Sequence, residues 1–320
     1  MSSQAVDLKK KAWVTWERQP RNRSMATLFD ADYLELSSSK KGVARYLECA
    51  KQTFKALRRG RYDIVFAQNP SLLLVAVAGF LKLLFGFRLI IDAHNAGVRP
   101  KEGRSAILNK LNLFLLKRAD AVIVTNNQLK QYLESKNVTA VVFTDPLPSL
   151  AEPKSLGLNN FVFVICSWAE DEPIHEYLQV AKQRSDLNFV FSGNYKKYFT
   201  DSELATLPGN IKLPGFVAED EYAGLVFDAE VILDLTTRED CLVCGAYEAI
   251  SANKKVILSD TKVNKDLFGK AAFYTKNNTS DLNEAIDIAL AADISQHIKL
   301  FKSDYTSNQV HAKNDVFATL

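Results

Sequence analysis

Cysteine is scarce: four occur in 320 residues, and only Cys241 and Cys244 lie close together. That excludes a disulfide framework and suits a reducing compartment. A lone Cys-x-x-Cys with no second pair and no histidine nearby is also a poor zinc signature. We read the two thiols as small residues that let a ligand approach closely. Long apolar runs are missing as well. The longest, Leu72–Leu81, ends at Lys82, and Arg88 closes the next. A membrane-spanning helix needs about 20 apolar residues, so this stretch reads as a buried helix. The opening MSSQAVDLKKK is polar, and no secretory leader is expected, which points to the cytoplasm. Fixed-period repeats, low-complexity tracts, RNA-binding aromatic motifs and helix-turn-helix signatures are absent too, so nucleic acid is not expected as a partner.

The first half is short of acidic residues. Residues 1–150 hold 24 Lys+Arg against 12 Asp+Glu, and residues 151–320 hold 16 against 25. A formal charge of +3 therefore hides halves of +12 and −9. Lys51, Lys55 and Arg58 share a helix face, with Arg59 and Arg61 adjoining, and Lys110 and Lys117 align on a later helix. Solvated faces do not account for an excess of twelve. An anionic membrane surface or a phosphate-bearing acceptor would, at about 1 kcal/mol per basic residue near a lipid surface.

The hydrophobic share is 47% and the charged share 24%, an ordinary globular balance, and 320 residues predict two domains of roughly 150 each. β-Branched runs alternate with helical stretches, which predicts βαβ units and parallel sheets. Strands are expected at Ala12–Trp16, Tyr33–Leu36, Ile64–Ala67, Leu89–Asp92, Ala121–Thr125 and Ala140–Phe143. After Pro146, Pro148 and Pro153 interrupt the pattern, it resumes at Phe161–Ile165, Asn188–Ser192, Ile211–Leu213, Val231–Leu235, Lys255–Leu258 and Ala272–Tyr274. The expected fold is α/β, with two Rossmann-like doubly wound domains facing across a cleft. One domain spans 1–146 and the other spans 147–300. Residues 301–320 form a terminal segment that packs back on the first domain.

The chemistry concentrates in GNIKLPGFVAEDEYAGLVFDAEVILDLTTREDCLVCGAYEAISANKKVILSD, Gly209 to Asp260. The strand Val231–Leu235 runs into the polar loop Thr236–Asp240, and a helix is expected from Cys241 or Leu242. Its first N–H groups, through Leu242, Val243, Cys244 and Gly245, would offer a diphosphate the positive end of a helix dipole. Asp240 and Glu248 would bracket a ligand bearing hydroxyls and phosphate.

This segment resembles the donor-binding half of the GT-B-type retaining glycosyltransferases of family 4, which carry two acidic residues at the spacing of Asp240 and Glu248. The resemblance implies that Asp240 touches the donor sugar's hydroxyls, that Glu248 holds the ribose, and that the backbone near Phe216 and Val217 meets the base. Asp240 stands where the family has glutamate, and Glu239 is its neighbour, so either could reach the sugar; the spacing favours Asp240. The family's arginine and lysine after the first donor-side strand are replaced here by Ser167, Trp168 and Glu170–Asp171–Glu172. Arg238, Lys196 and Lys197, with Asn194 in the same SGNYKKYF stretch, are the substitute candidates for the phosphate.

In the first half, RYDIVFAQNPSLLLVAVAGFLKLLFGFRLIIDAHNAG resembles the family's acceptor side, where Asp92, His94 and Asn95 end a strand. His94 is implied to contact the donor sugar. Asn69, Asn126 and the group Arg18, Arg21 and Arg23 fall on the same side. The resemblance implies front-side displacement without a settled protein nucleophile, no cofactor and no metal. No Asp-x-Asp metal motif of the other glycosyltransferase fold is expected. The implied activity is transfer from a nucleotide-sugar to a lipid-linked or polysaccharide acceptor in cell-envelope glycan synthesis, by an enzyme peripheral to the inner face of the membrane. A catalytically degenerate nucleotide-sugar-binding scaffold and a nucleotide-sugar epimerase are the alternatives.

Overall fold

Buried runs of β-branched and aromatic residues become the strands. In the computed structural model, which describes residues 9–18, 20–69 and 71–320, the chain forms two units. One extends to Pro146 and takes in Thr306–Leu320, and the other is Leu147–Tyr305.

The first unit runs β1 (Lys11–Thr15), α1 (Pro20–Leu28), β2 (Asp32–Glu35), α2 (Gly42–Gly60), β3 (Ile64–Asn69), α3 (Leu72–Phe85), β4 (Arg88–Ala93), α4 (Asn95–Val98), α5 (Ala106–Leu116), β5 (Ala121–Val124), α6 (Asn127–Glu134) and β6 (Ala140–Val142). Its strands pair in parallel in the order β2-β1-β3-β4-β5-β6. Both faces are covered, so β3 and β5 are buried along their whole length, as doubly wound sheets require. Ser71, Ser105 and Asn126 cap α3, α5 and α6 by accepting backbone N–H bonds. Gly86, at φ +74°, ends α3.

The second unit runs β7 (Phe161–Val164), α7 (Ile174–Gln183), β8 (Asn188–Ser192), α8 (Asp201–Ala205), β9 (Ile211–Gly215), α9 (Glu219–Asp228), β10 (Val231–Asp234), α10 (Cys244–Ser251), β11 (Val256–Ser259), α11 (Lys262–Phe268), β12 (Phe273–Thr275), α12 (Thr279–Ala291) and α13 (Ser295–Ala318). The parallel order is β12-β11-β10-β7-β8-β9. β9 is the edge strand, which is why it can include Pro214 and run past the expected end at Leu213. The order reverses between β1 and β3 in the first unit and between β7 and β10 in the second. Ligands of such sheets bind beyond the carboxyl ends at that reversal.

Residues 144–160 contain neither helix nor strand. They are nonetheless tied to the second unit. Ser251 Oγ donates to the Pro148 carbonyl at 2.5 Å, the Lys154 N–H donates to the Asp220 carbonyl at 2.9 Å, and Leu147, Leu150, Leu156 and Leu158 pack on the core. At the crossing with α9 a Cβ on Gly224 would stand 2.1 Å from the Lys154 carbonyl oxygen, so only glycine fits.

Arg21 and Arg23 lie on α1, and Arg18 precedes it. One expectation is corrected. The donor-side helix starts at Cys244 rather than Cys241 or Leu242, because Val243 is extended (φ −89°, ψ 145°) and no side chain caps it.

Candidate functional site

In the second unit the reversal point is built from the loops that follow β7 and β10. Asp234, the last residue of β10, is buried, and its Oδ2 accepts the Gly245 N–H at 2.8 Å. Burial pushes the Asp234 carboxyl well above its ordinary range, partly offset by that hydrogen bond. A Cβ on Gly245 would come within 2.5 Å of Asp234 Oδ2 and 2.7 Å of Ile165 Cδ1. The Gly245 N–H is therefore taken up by Asp234, which removes this one group from the diphosphate cradle expected from Leu242 to Gly245.

Glu248 lies one turn further along α10, half-buried. Tyr222 of α9 donates its hydroxyl to Glu248 Oε2 at 2.6 Å. Burial raises the Glu248 carboxyl above its usual range and the Tyr222 bond pulls it part of the way back. Asp240 is half-buried in the turn before α10, while Glu239 and Arg238 are exposed. Arg238 Nη1 stands 3.4 Å from Asp171 Oδ2, so this cation already has a carboxylate beside it. Asp171 also accepts from the Thr236 hydroxyl, and its carbonyl accepts the Thr237 N–H, lacing the two loops together. Burial pushes the Cys241 thiol up to about 11, with Arg238 opposing, which disfavours a reactive thiolate.

The loop after β7 holds an anion of its own. Trp168 adopts φ +63°, and the Ser167 and Ala169 N–H groups on either side of it converge on the Glu172 carboxylate at 2.9 and 3.1 Å. The Ser167 hydroxyl adds a third bond at 2.8 Å. Such a concave array of N–H groups is an anion site. The sequence reading took these acidic residues only as missing cations; the Trp168 backbone that forms the array carries no sequence signal. Lys196 and Lys197 are exposed on the turn after β8, with Asn194 just before it. Phe216 is 83% exposed beyond Gly215, and Val217 packs on the core.

In the first unit Asp92 is the next-to-last residue of β4 and is buried. It pairs with Arg21 of α1, whose Nε reaches Asp145 at 2.5 Å, and His94 Nε2 lies 3.6 Å from Asp92 Oδ2. Burial pushes Asp92 up, but the charges of Arg21 and His94 outweigh it and hold the carboxyl below its ordinary range. Arg21 is thus an inward-facing framework residue, unlike the exposed Arg18 and Arg23. Asn69 is fully buried and donates to the Gly97 carbonyl at 2.8 Å, while Asn126 caps α6. Both hold the backbone around the site. Asn95 opens α4, and its side chain lies outside the described residues.

One Asp-x-Asp triplet does occur, Asp30-Ala31-Asp32. Asp30 stands 3.5 Å from Lys11 Nζ and Asp32 accepts the Tyr62 hydroxyl at 2.9 Å. Among the described residues no group of three or more His, Cys, Asp or Glu is placed to hold a metal ion.

Residues 13–144 match the family model described as a glycosyl transferase 4-like domain. No curated protein matches the sequence. Among solved structures, HepE of Anabaena in complex with UDP and glucose superposes with a TM-score of 0.73 at 13% identity, covering 97% of this chain and 99% of that one. The sucrose-phosphate synthase of Thermosynechococcus elongatus gives 0.65 at 15% identity, covering 90% and 84%. The α,α-trehalose 6-phosphate synthase of Burkholderia multivorans gives 0.62 at 13%, covering 95% and 81%.

Proposed function

We propose that this chain, whose residues 13–144 match a glycosyl transferase 4-like domain and whose fold superposes on HepE, is a retaining, metal-independent glycosyltransferase. It moves a sugar from a nucleotide-sugar to a lipid-linked or polysaccharide acceptor in cell-envelope glycan synthesis, at the inner face of the membrane. The observation that carries the reading is the placement of Glu248. Its carboxyl group lies one turn into α10, the helix that follows β10 at the reversal of the strand order, and accepts the Tyr222 hydroxyl. Glu248 takes the ribose hydroxyls and Asp240 the donor sugar. The Ser167 and Ala169 N–H groups, once Glu172 releases them, meet the diphosphate with Arg238, and the backbone at Phe216 and Val217 meets the base. UDP-sugars are the first donors to test, since HepE was crystallised with UDP and glucose.

His94 is the positioning group on the acceptor side, and Asp92 and Arg21 fix where it stands. With acceptor oxygen and leaving phosphate on one face of an oxocarbenium-like sugar, the protein contributes orientation and electrostatic support for the departing diphosphate. The experiment is nucleoside-diphosphate release across a panel of donors and acceptors, with product anomers read by NMR and a chelator arm for metal dependence. Background release by both the wild type and Glu248→Ala refutes the proposal. A second reading, a nucleotide-sugar-binding scaffold without turnover, draws on Glu172 occupying the loop where the family resemblance puts cations. Nucleotide binding without product under all conditions favours it.

A further inference from the structure

α3 is apolar almost all the way round, with Lys82 its only charged residue. Such a helix is normally enclosed. Here one face is open: Phe80, Leu83 and Leu84 are 60%, 72% and 55% exposed. α5, which packs beside it, repeats the feature. Ile107, Leu111 and Phe114 recur at spacings of four and three on its outer face, and Ile107 is 81% exposed. The two helices are joined at Lys82, whose Nζ donates to the Arg118 carbonyl at 3.1 Å.

Neither α3 nor α5 contains an aspartate or glutamate. The exposed charges of this face, Lys110, Lys117 and Arg118, are all positive, and the Arg118 guanidinium lies 4.5 Å over the Phe114 ring. On the neighbouring α2, Lys51, Lys55, Arg58 and Arg59 line a groove with Phe54. A contiguous apolar patch rimmed by one sign of charge marks an interaction surface. A second copy of the chain fits poorly, because a two-fold contact would set these cations against their own equivalents. An anionic bilayer satisfies both features, with phosphates for the rim and acyl chains for the centre. No helix among the described residues is long and apolar enough to cross a membrane, so the contact lies in the interface plane.

We propose that the outer faces of α3 and α5 form one docking plateau that inserts Phe80, Leu83, Leu84, Ile107, Leu111 and Phe114 below the headgroups of an anionic membrane. The basic rim stays at the phosphates. This rests on the reading above for its purpose, access to a lipid-linked acceptor, and goes beyond charge attraction by making attachment largely hydrophobic.

The test is flotation of the full chain with phosphatidylcholine vesicles, with and without phosphatidylglycerol, at low and high salt. The wild type floats with the anionic vesicles and stays partly bound in high salt. The triple variant Leu83→Ser, Ile107→Ser, Phe114→Ser loses about tenfold or more in partitioning, since roughly 25 cal/mol is lost per Å² of apolar surface no longer buried. What it retains is abolished by salt. Equal partitioning of variant and wild type overturns the proposal, as does complete release of the wild type by salt. A wild-type dimer in lipid-free sedimentation that the variant converts to monomer also overturns it, in favour of a second copy. A fluorophore on Ile107→Cys gives a readout that does not depend on the triple variant folding: quenching by brominated lipid supports insertion and its absence refutes it. Nucleotide release with a soluble acceptor is measured in parallel. If release fails while flotation behaves as stated, the transferase reading falls and the docking surface stands.

Discussion

The carboxyl group of Asp234, the last residue of β10, accepts the backbone N–H of Gly245 in the first turn of α10 at 2.8 Å. Strand and helix are joined here by one hydrogen bond inside the core, and the glycine is what makes room for it. Gly245→Ala pushes a methyl into Asp234 and Ile165, and is expected to cost about 1–3 kcal/mol, as overpacking does. Urea unfolding measures the loss. Nucleotide affinity should fall in parallel, because α10 also carries Glu248.

Asp234 also sets a pH dependence. Its folded-state pKa lies above the unfolded one, chiefly through burial, so its contribution to stability is complete below the ordinary carboxyl range and is lost as pH rises through the folded value. Asp234→Asn should therefore flatten the decline of Tm from acid towards alkaline pH. A decline as steep as the wild type's contradicts this.

Tyr222 and Glu248 form the second coupled pair. Tyr222→Phe leaves burial to act on Glu248 with no hydrogen bond to oppose it, so the carboxyl group titrates higher still. Nucleotide binding at neutral pH is expected to weaken about tenfold, the scale of a hydrogen bond to a charged group. The pH at which binding is half-maximal should move up. Calorimetric titration across pH separates this from simple unfolding.

The sequence made the strands legible because doubly wound sheets bury both faces, so short β-branched runs such as Ile64–Ala67 and Val231–Leu235 read as strands, within two residues of the observed Ile64–Asn69 and Val231–Asp234. It also singled out the Asp240–Glu248 segment, through a family resemblance rather than any local pattern. What it left hidden are relationships without local pattern. Arg21 is 71 residues from Asp92 and 124 from Asp145, so nothing in PRNRSMATL marks it as an inward-facing arginine. The start of α10 was placed too early because Leu242 and Val243 are apolar, and their extended backbone has no compositional signal. Asp234 lies inside the expected strand Val231–Leu235 with nothing local to mark it, and only the approach of Gly245 makes it a helix anchor.

Asp92 titrates in the opposite sense from Asp234. Its carboxyl is held low by Arg21 and His94, so the stability it supplies is present above the ordinary carboxyl pKa and lost as pH falls through the folded value. Asp92→Asn leaves Arg21 with Asp145 alone in a mostly buried setting. A loss of about 3 kcal/mol is expected, the scale of breaking a buried pair, together with a flatter acid limb. Denaturation at several pH values checks both.

Glu172→Gln removes the negative charge that the Ser167 and Ala169 N–H groups now hold. If those groups serve the diphosphate, nucleoside diphosphate should bind about three- to tenfold tighter to the variant, within the range of single charge-assisted hydrogen bonds. Weaker binding would assign Glu172 to holding the loop in shape.

The leucines of the irregular stretch before β7 bear on how the second unit can be studied alone. A fragment cut at the first strand, Phe161, would strip away Leu147, Leu150, Leu156 and Leu158, bare the apolar ground beneath them, and leave Gly224 facing solvent. Such a fragment should aggregate. One that begins at Leu147 and keeps α13 through Tyr305, whose ring is part of the same core, carries its own cover and is the piece to express for crystallography with bound nucleotide.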